Sequence, residues 1–224
     1  MPIPRYYPLF LDLSRAKCLV AGAGAVGQRK IRSLLDSGVR EVLVLDPNVK
    51  AALLPEHPAL VFEARSFAPE DLAGCALAFA ASGSREVNAA VAAACAERGI
   101  FCTCADAPLE GSCIVPAVAR SGELTLALST GGASPAYARH LREDLEGWLH
   151  DKAPLATLLG RIRPRLLALR MDTMQNTHLL RALVQSKLGA ALAARDGDRC
   201  KKLLAATLPK DLHPWLAEFL DGLV

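Results

Sequence analysis

Short apolar runs alternate with amphipathic stretches through the first half of the chain. Cys18-Leu19-Val20-Ala21, Glu41-Val42-Leu43-Val44-Leu45, Ala76-Leu77-Ala78-Phe79-Ala80-Ala81 and Ile100-Phe101-Cys102-Thr103-Cys104 are nearly unbroken in apolar character. Runs of this length, bounded by turn residues, predict strands buried on both faces. Val61-Phe62-Glu63-Ala64 alternates and predicts a further short strand. Between the runs, Arg29–Leu35 and Arg85–Arg98 predict helices, the second closed by Gly99. Ala68-Pro69-Glu70-Asp71-Leu72 has proline and acids where a helix starts. Pro8-Leu9-Phe10-Leu11-Asp12-Leu13 reads as an edge strand or a lead-in. Strands alternating with helices imply an α/β fold, a doubly wound parallel sheet of Rossmann type. Sheets of that kind bind ligands at the carboxyl ends of their strands.

The alternation changes after Asp106. Cys113–Arg120 and Leu124–Ser129 flank a Ser121-Gly122 turn with no helix between them, so they predict an antiparallel hairpin. A two-stranded ribbon is marginal alone and needs a surface to lie on, for which a partner subunit is a natural candidate. Ser134 and Pro135 suit the N-cap and first turn of a helix. Leu141, Leu145, Trp148 and Leu149 then fall on one face, and Arg139 with Glu143, and Arg142 with Glu146, are placed to pair at i, i+4. From Leu155 to Val224 the pattern is helical, with turns at Asp196-Gly197-Asp198 and Leu208-Pro209-Lys210-Asp211. Met171, Met174 and the stretch to His178 read as a loop or a helix start. The expected division is a Rossmann domain over 1–112, a hairpin-and-helix segment over 113–150 and a small all-helical domain over 151–224.

Candidate chemistry concentrates at the strand ends. Gly22, Gly24 and Gly27 spell G-x-G-x-x-G between the first strand and the first helix. The first glycine permits a tight turn, the second lets backbone approach a pyrophosphate, and the third lets helix pack on strand. The N–H groups that open the helix, around Ala25 and Val26, would receive the pyrophosphate. Asp46 ends the second strand 19 residues beyond Gly27, close to the spacing at which an acid meets an adenosine ribose. An acid there repels a 2′-phosphate, and the following Pro47-Asn48 offers no cation, so NAD is favoured over NADP. Ser82 and Asp106 end two further strands on the same edge.

Composition narrows the class. The 224 residues are 52% hydrophobic and 22% charged, which is globular rather than disordered. No apolar run approaches a bilayer span, and the first residues lack the pattern of a secretory signal, so a soluble cytoplasmic protein with no membrane partner is expected. Residues 1–112 carry 11 Lys and Arg against 12 Asp and Glu, a net −1; residues 113–224 carry 15 against 11, a net +4. The second half is therefore the better host for an anion. No dense basic run is present and aromatics are 5%, which argues against nucleic acid. The seven Cys are expected as reduced core thiols; Cys102-Thr103-Cys104 reads as two thiols sharing one strand face rather than as a permanent metal site.

Several motifs together carry a resemblance. They are Pro8-Leu9-Phe10, the Gly22–Lys30 turn, Val87-Asn88, Phe101-Cys102 through Asp106-Ala107-Pro108, and Ser129-Thr130-Gly131-Gly132-Ala133-Ser134-Pro135. From Pro8 to about Trp148 the chain resembles the precorrin-2 dehydrogenases of sirohaem synthesis, including the N-terminal module of bifunctional and trifunctional sirohaem synthases. The C-terminal helices match in pattern only, and a chain of this length is not expected to hold a methyltransferase-type domain. The resemblance implies that 113–150 is a dimerisation segment in an interlocked homodimer. It implies NAD-dependent oxidation of precorrin-2 to sirohydrochlorin. Some members also insert Fe²⁺, so the alternative reading is a bifunctional enzyme with Fe²⁺ or Co²⁺ as a chelation substrate.

The family's proposed catalytic aspartate falls on Asp106. The reaction needs a base near the nicotinamide, and the end of the last parallel strand is placed for one; a carboxylate capping the next turn is the plainer reading. During chelation the same group could accept pyrrole protons or contact Fe²⁺ transiently. The substrate has eight carboxylates, for which Ser129, Arg120, Arg139 and His140 in the positive half are candidates; His150 lies near the same helix face as His140. A reading of another class is a regulatory dimer that senses NAD without catalysis. Asp106 and the Ser-Pro loop weigh against it, since a sensor needs no base.

Overall fold

A computed structural model describes residues 5–224; the reading of Met1-Pro2-Ile3-Pro4 lies outside them. Five parallel strands come first: β1 (Lys17–Ala21), β2 (Glu41–Leu45), β3 (Leu60–Glu63), β4 (Cys75–Ala80) and β5 (Phe101–Cys104), in the order β3-β2-β1-β4-β5. The chain order reverses between β1 and β4, which puts a switch point there. Residues alternate between two cores, as a strand's period of two requires. Cys18, Val20, Val42, Val44, Leu77 and Phe79 join Ile31 and Leu34 of α1 (Ala25–Asp36) on one face. Leu19, Ala21, Leu43, Leu45, Ala78, Ala80, Cys102 and Cys104 join Val91, Ala92, Ala94 and Cys95 of α2 (Arg85–Arg98) on the other. The small side chains of α2 let it lie close to the sheet. Ser84 caps it, its Oγ accepting from the Val87 N–H at 3.3 Å, and Gly99 closes it in a left-handed conformation at φ 65°.

Three expectations change in this part. Pro8–Leu13 forms no strand; it is an irregular lead-in with Leu9, Phe10 and Leu11 exposed. Pro69–Leu72 is a single 3-10 turn, because Cys75 must already enter β4. The first helix begins at Ala25, four residues before Arg29, since Gly27 occupies its first turn despite poor helix propensity.

The chain divides into two compact units, the first ending at Val115 and the second holding Pro116–Val224. In the second, β6 (Ala117–Ser121) pairs antiparallel with β7 (Leu124–Leu128). The ribbon packs on α3 (Pro135–Ala168) of its own chain, and a Cβ at Gly122 would stand 3.2 Å from Thr157 Oγ1. Helices α4 (Thr173–Gln185), α5 (Leu188–Ala193), α6 (Gly197–Thr207) and α7 (Leu216–Leu220) complete the unit.

The boundary expected at 150/151 falls inside α3, which runs 34 residues through Pro154 and Pro164. Each proline removes a ladder bond. Leu158, Ile162 and Leu166, four apart and fully buried, hold the helix against the core made with Leu183, Leu192, Leu204 and Phe219. Burial of that stripe offsets the lost bonds. On the earlier part of α3 only Leu149 of the predicted apolar face is buried; Leu141 and Leu145 are half-covered and Trp148 is 54% exposed.

Candidate functional site

The parallel ladder continues past the strand ends into one edge. The Gly22 N–H donates to Leu45 O at 2.8 Å, Ala81 N–H to Ala21 O at 2.8 Å and Ala105 N–H to Ala80 O at 2.9 Å. Gly22, Asp46, Ser82 and Asp106 therefore stand along the carboxyl edge of a rigid sheet.

Each glycine of the turn has a different reason to be glycine. Gly22 has φ +101°, and a Cβ on it would lie 2.4 Å from Ala81 O. A Cβ on Gly27 would lie 1.9 Å from Gly22 O, so α1 seats directly on the turn. Gly24, the N-cap of α1, has extended backbone and nothing within 4 Å of the Cβ it lacks. Two glycines thus serve packing, and the middle one leaves open space in front of the helix's first N–H groups. Those groups have no partner within a helix, and with the helix dipole they favour an anion. Ala25 and Val26 are exposed there.

Asp46 braces the same turn. Its Oδ2 accepts from the Ala23 N–H at 2.8 Å, and its Oδ1 from the Asn48 N–H at 2.8 Å and the Val49 N–H at 3.1 Å. Each carboxylate oxygen keeps capacity for a further donor. Asp46, Pro47 and Asn48 line a cleft of about 280 Å³ with Gly22, Ser82, Ser84 and Val87. Arg65, Ser66 and Phe67 line it too. Sequence reasoning missed these three, which belong to no motif. The usable signal was their place just after β3, the one strand end left without a candidate.

Ser82 and Asp106 are joined by a residue known from sequence only as part of a motif. Asn88 is buried at 1% exposure. Its Oδ1 accepts from the Ser82 N–H at 2.9 Å and its Nδ2 donates to Ser82 O at 3.1 Å. The same side chain bonds Asp106. The Cys104 thiol donates to Asp106 Oδ1 at 3.1 Å. The Cys104 bond first, then the Asn88 bond, with Arg85 nearby, hold the Asp106 carboxyl below its ordinary range, so it is ionised at neutral pH. The 3-10 turn over Pro108–Glu110 has no side-chain cap, so Asp106 does not cap it. Arg85 itself pairs with Glu110. Six of the seven thiols are buried, and Cys102 and Cys104 share the α2 face of the sheet. Among the described residues no three His, Cys, Asp or Glu gather as a metal site.

The remaining candidates belong to the second unit. Arg120 is exposed on β6. Ser129 Oγ accepts from the Gly131 N–H at 3.0 Å, and Thr130 Oγ1 accepts from the Ser134 N–H at 3.1 Å, which shapes the loop before α3. Ser134 caps α3 by accepting from the Tyr137 N–H at 3.2 Å. Arg139 pairs with Glu143 at 3.0 Å and His140 with Asp144 at 3.5 Å, both one turn along the helix. Arg142 pairs with Glu146 as its spacing predicts. Part of the positive charge farther on is structural. Arg161 donates to Phe219 O at 3.0 Å and Asp221 O at 2.7 Å; Arg165 pairs with Glu218 at 2.7 Å and stacks 3.4 Å over the Trp215 ring.

Comparison with known proteins agrees with this arrangement. Residues 9–117 match a family model described as putative NAD(P)-binding, and residues 121–147 one described as sirohaem biosynthesis protein, central. Siroheme synthase 2 of Pectobacterium atrosepticum is 35% identical over 202 residues, covering 88% of this chain and 44% of that protein. Siroheme synthase 1 of Aeromonas salmonicida is 37% identical over 197 residues, covering 85% of this chain and 42% of that protein. The chain thus spans less than half the length of these relatives. A solved structure titled SirC, precorrin-2 dehydrogenase, shares the fold with a TM-score of 0.72 at 23% identity, covering 90% of this chain and 98% of that one. Among the described residues no helix is long and apolar enough to cross a membrane. With the two family models meeting along one chain and a third of its residues shared with these enzymes, this protein belongs to the siroheme synthase family.

Proposed function

We propose that the chain oxidises precorrin-2 to sirohydrochlorin with NAD. The observation that carries this is the meeting, on one sheet edge, of an open glycine cradle and a carboxylate that is held ionised. The residues fit a dinucleotide: Gly24 leaves space where a pyrophosphate would lie, with Ala25 and Val26 N–H groups behind it. Asp46, flanked by Pro47 and Asn48, takes the ribose hydroxyls, and Ser82 lines the opposite wall of the cleft. Bound NAD supplies the hydride acceptor. The overall change is precorrin-2 plus NAD⁺ to sirohydrochlorin, NADH and one proton, and Asp106 receives that proton. Asn88 and Cys104 hold the carboxylate in place, which a group aimed at one ring position needs. Substrate carboxylates are met by Arg120, Arg139, His140 and the Ser129 loop. A homodimer is part of the same proposal; the half-covered Leu141 and Leu145 and the exposed Tyr137 and Trp148 on α3 support it.

A second activity, insertion of Fe²⁺ into sirohydrochlorin, is supported by the exposure of Asp106, which lets an ionised oxygen reach an incoming cation. The competing view of an NAD-sensing dimer leaves the Asn88–Asp106–Cys104 arrangement without a purpose.

Precorrin-2 and NAD⁺, mixed with the protein under anaerobic conditions, should yield the sirohydrochlorin spectrum and stoichiometric NADH. Absence of both rejects the dehydrogenase reading. Fe²⁺ or Co²⁺ added afterwards reports chelation separately. Asp46→Ala should raise the NADH dissociation constant about tenfold or more, since it removes charge-assisted bonds to the ribose and to the Ala23 N–H. An unchanged constant in a fluorescence titration would remove Asp46 from the cofactor site.

A further inference from the structure

Arg65 stands two residues beyond β3 and lines the same cleft as Asp46. β2 and β3 are in register with Leu45 opposite Glu63, and the Asp46 N–H donates to Glu63 O at 3.3 Å. Arg65 therefore follows the strand end next to the ribose acid. A guanidinium is the group that receives a 2′-phosphate in dinucleotide sites. This one is already committed. Its Nε donates to Glu63 Oε2 at 2.6 Å, its Nη2 to Asp71 Oδ1 at 2.7 Å, and its Nη1 to Asp71 Oδ2 at 2.8 Å and Ser66 O at 3.1 Å. Of five donors, one is left.

The partner carboxylate is itself fixed. Asp71 has a side-chain exposure of 10% and accepts from the Ala68 N–H at 2.8 Å. An isolated exposed ion pair would be easily exchanged. A bidentate pair, with a third bond from Glu63 and one partner tied to backbone, is not. Around the cleft, Asp46, Glu63 and Asp71 set three carboxylates against one guanidinium. A 2′-phosphate, itself about −1.5 to −2 at neutral pH, meets net negative charge at the position where an arginine would otherwise welcome it.

We propose that Glu63 and Asp71 cage Arg65 and thereby set the cleft's preference for a dinucleotide without a 2′-phosphate. The inference rests on the dinucleotide reading of the cleft and adds its specificity device. Asp46 supplies repulsion, and the cage withdraws the one cation of the cleft that could overcome it.

The test uses fluorescence titrations of the full chain with NADH and NADPH. The wild type should bind NADH more tightly. Glu63→Gln/Asp71→Asn removes both charges yet leaves an amide oxygen to accept from the Ala68 N–H. It should lower the ratio of NADPH to NADH dissociation constants about tenfold or more, the scale of one charge-assisted contact. Adding Arg65→Leu to that variant should return the ratio to near its starting value. A ratio within twofold of wild type, with NADH still bound, overturns the cage. So does a wild type that binds NADPH as tightly as NADH. If the double variant does not fold, Glu63→Gln alone should lower the ratio about threefold, and no change there is equally decisive. A wild type that binds neither nucleotide overturns the dinucleotide reading itself, and the cage with it, which separates the two failures.

Discussion

Asp106→Ala is expected to lower turnover of precorrin-2 by about 10²–10⁴-fold, the range for loss of a positioned general base. The NADH dissociation constant should change by less than about threefold, because no wall of the cofactor cleft is formed by Asp106. The side chain is exposed, so its removal leaves no cavity and the melting temperature should hold. The pH dependence follows from the bonds. The Cys104 thiol and the Asn88 amide stabilise the charged form, so the carboxyl pKa is depressed in the folded protein. Activity that needs the carboxylate is then retained below the ordinary range of an aspartate and lost only as pH falls through the depressed value. Anaerobic initial rates for both proteins check all of this. A variant with an undiminished rate would place the base elsewhere.

Exchanging the glycines of the turn for alanine should separate packing from binding. Gly27→Ala puts a methyl 1.9 Å from Gly22 O, a clash with backbone that no rotamer relieves. Overpacking of this sort costs roughly 1–3 kcal/mol or more. The melting temperature should drop by on the order of 5–10 °C, with dinucleotide binding lost because α1 is pushed off the turn. Gly24→Ala meets nothing within 4 Å, and its φ of −66° suits alanine. Its melting temperature should move by only about 1–2 °C, as expected for a small change at an N-cap. Yet NADH affinity should fall about tenfold or more, since the methyl occupies the space left for pyrophosphate. Thermal melts beside fluorescence titrations distinguish the two. A Gly24→Ala protein that binds NADH normally would show that the cradle holds no pyrophosphate.

Much of the first unit was legible because its signals are local. Apolar runs of strand length, turn residues and an intervening helix specify a parallel α/β sheet, and the strand bounds differ from those read by a residue or two. The lead-in at Pro8–Leu13 and the start of α1 were misread for one reason. Local propensity made an apolar run look like a strand and Gly27 look like a helix breaker, while packing decided both. In the second unit Pro154 suggested a break near the end of the first helical segment. The helix continues because Leu158, Ile162 and Leu166 bury against α4–α7, elements far along the chain.

The amino-acid sequence by itself determined the sheet, the glycine cradle, the acid at Asp46 and the strand-end position of Asp106. Each depends on neighbours within a few tens of residues, where spacing and periodicity are reliable guides. Tertiary structure alone decided what those groups touch. It brought Asn88 and Cys104 onto the Asp106 carboxylate, gave Asp46 a second task in bracing Ala23, and closed Glu63 and Asp71 around Arg65. Hydrogen bonds are short-ranged and directional, so their partners are set by how strand ends and loops converge in space, and sequence spacing carries no record of that convergence.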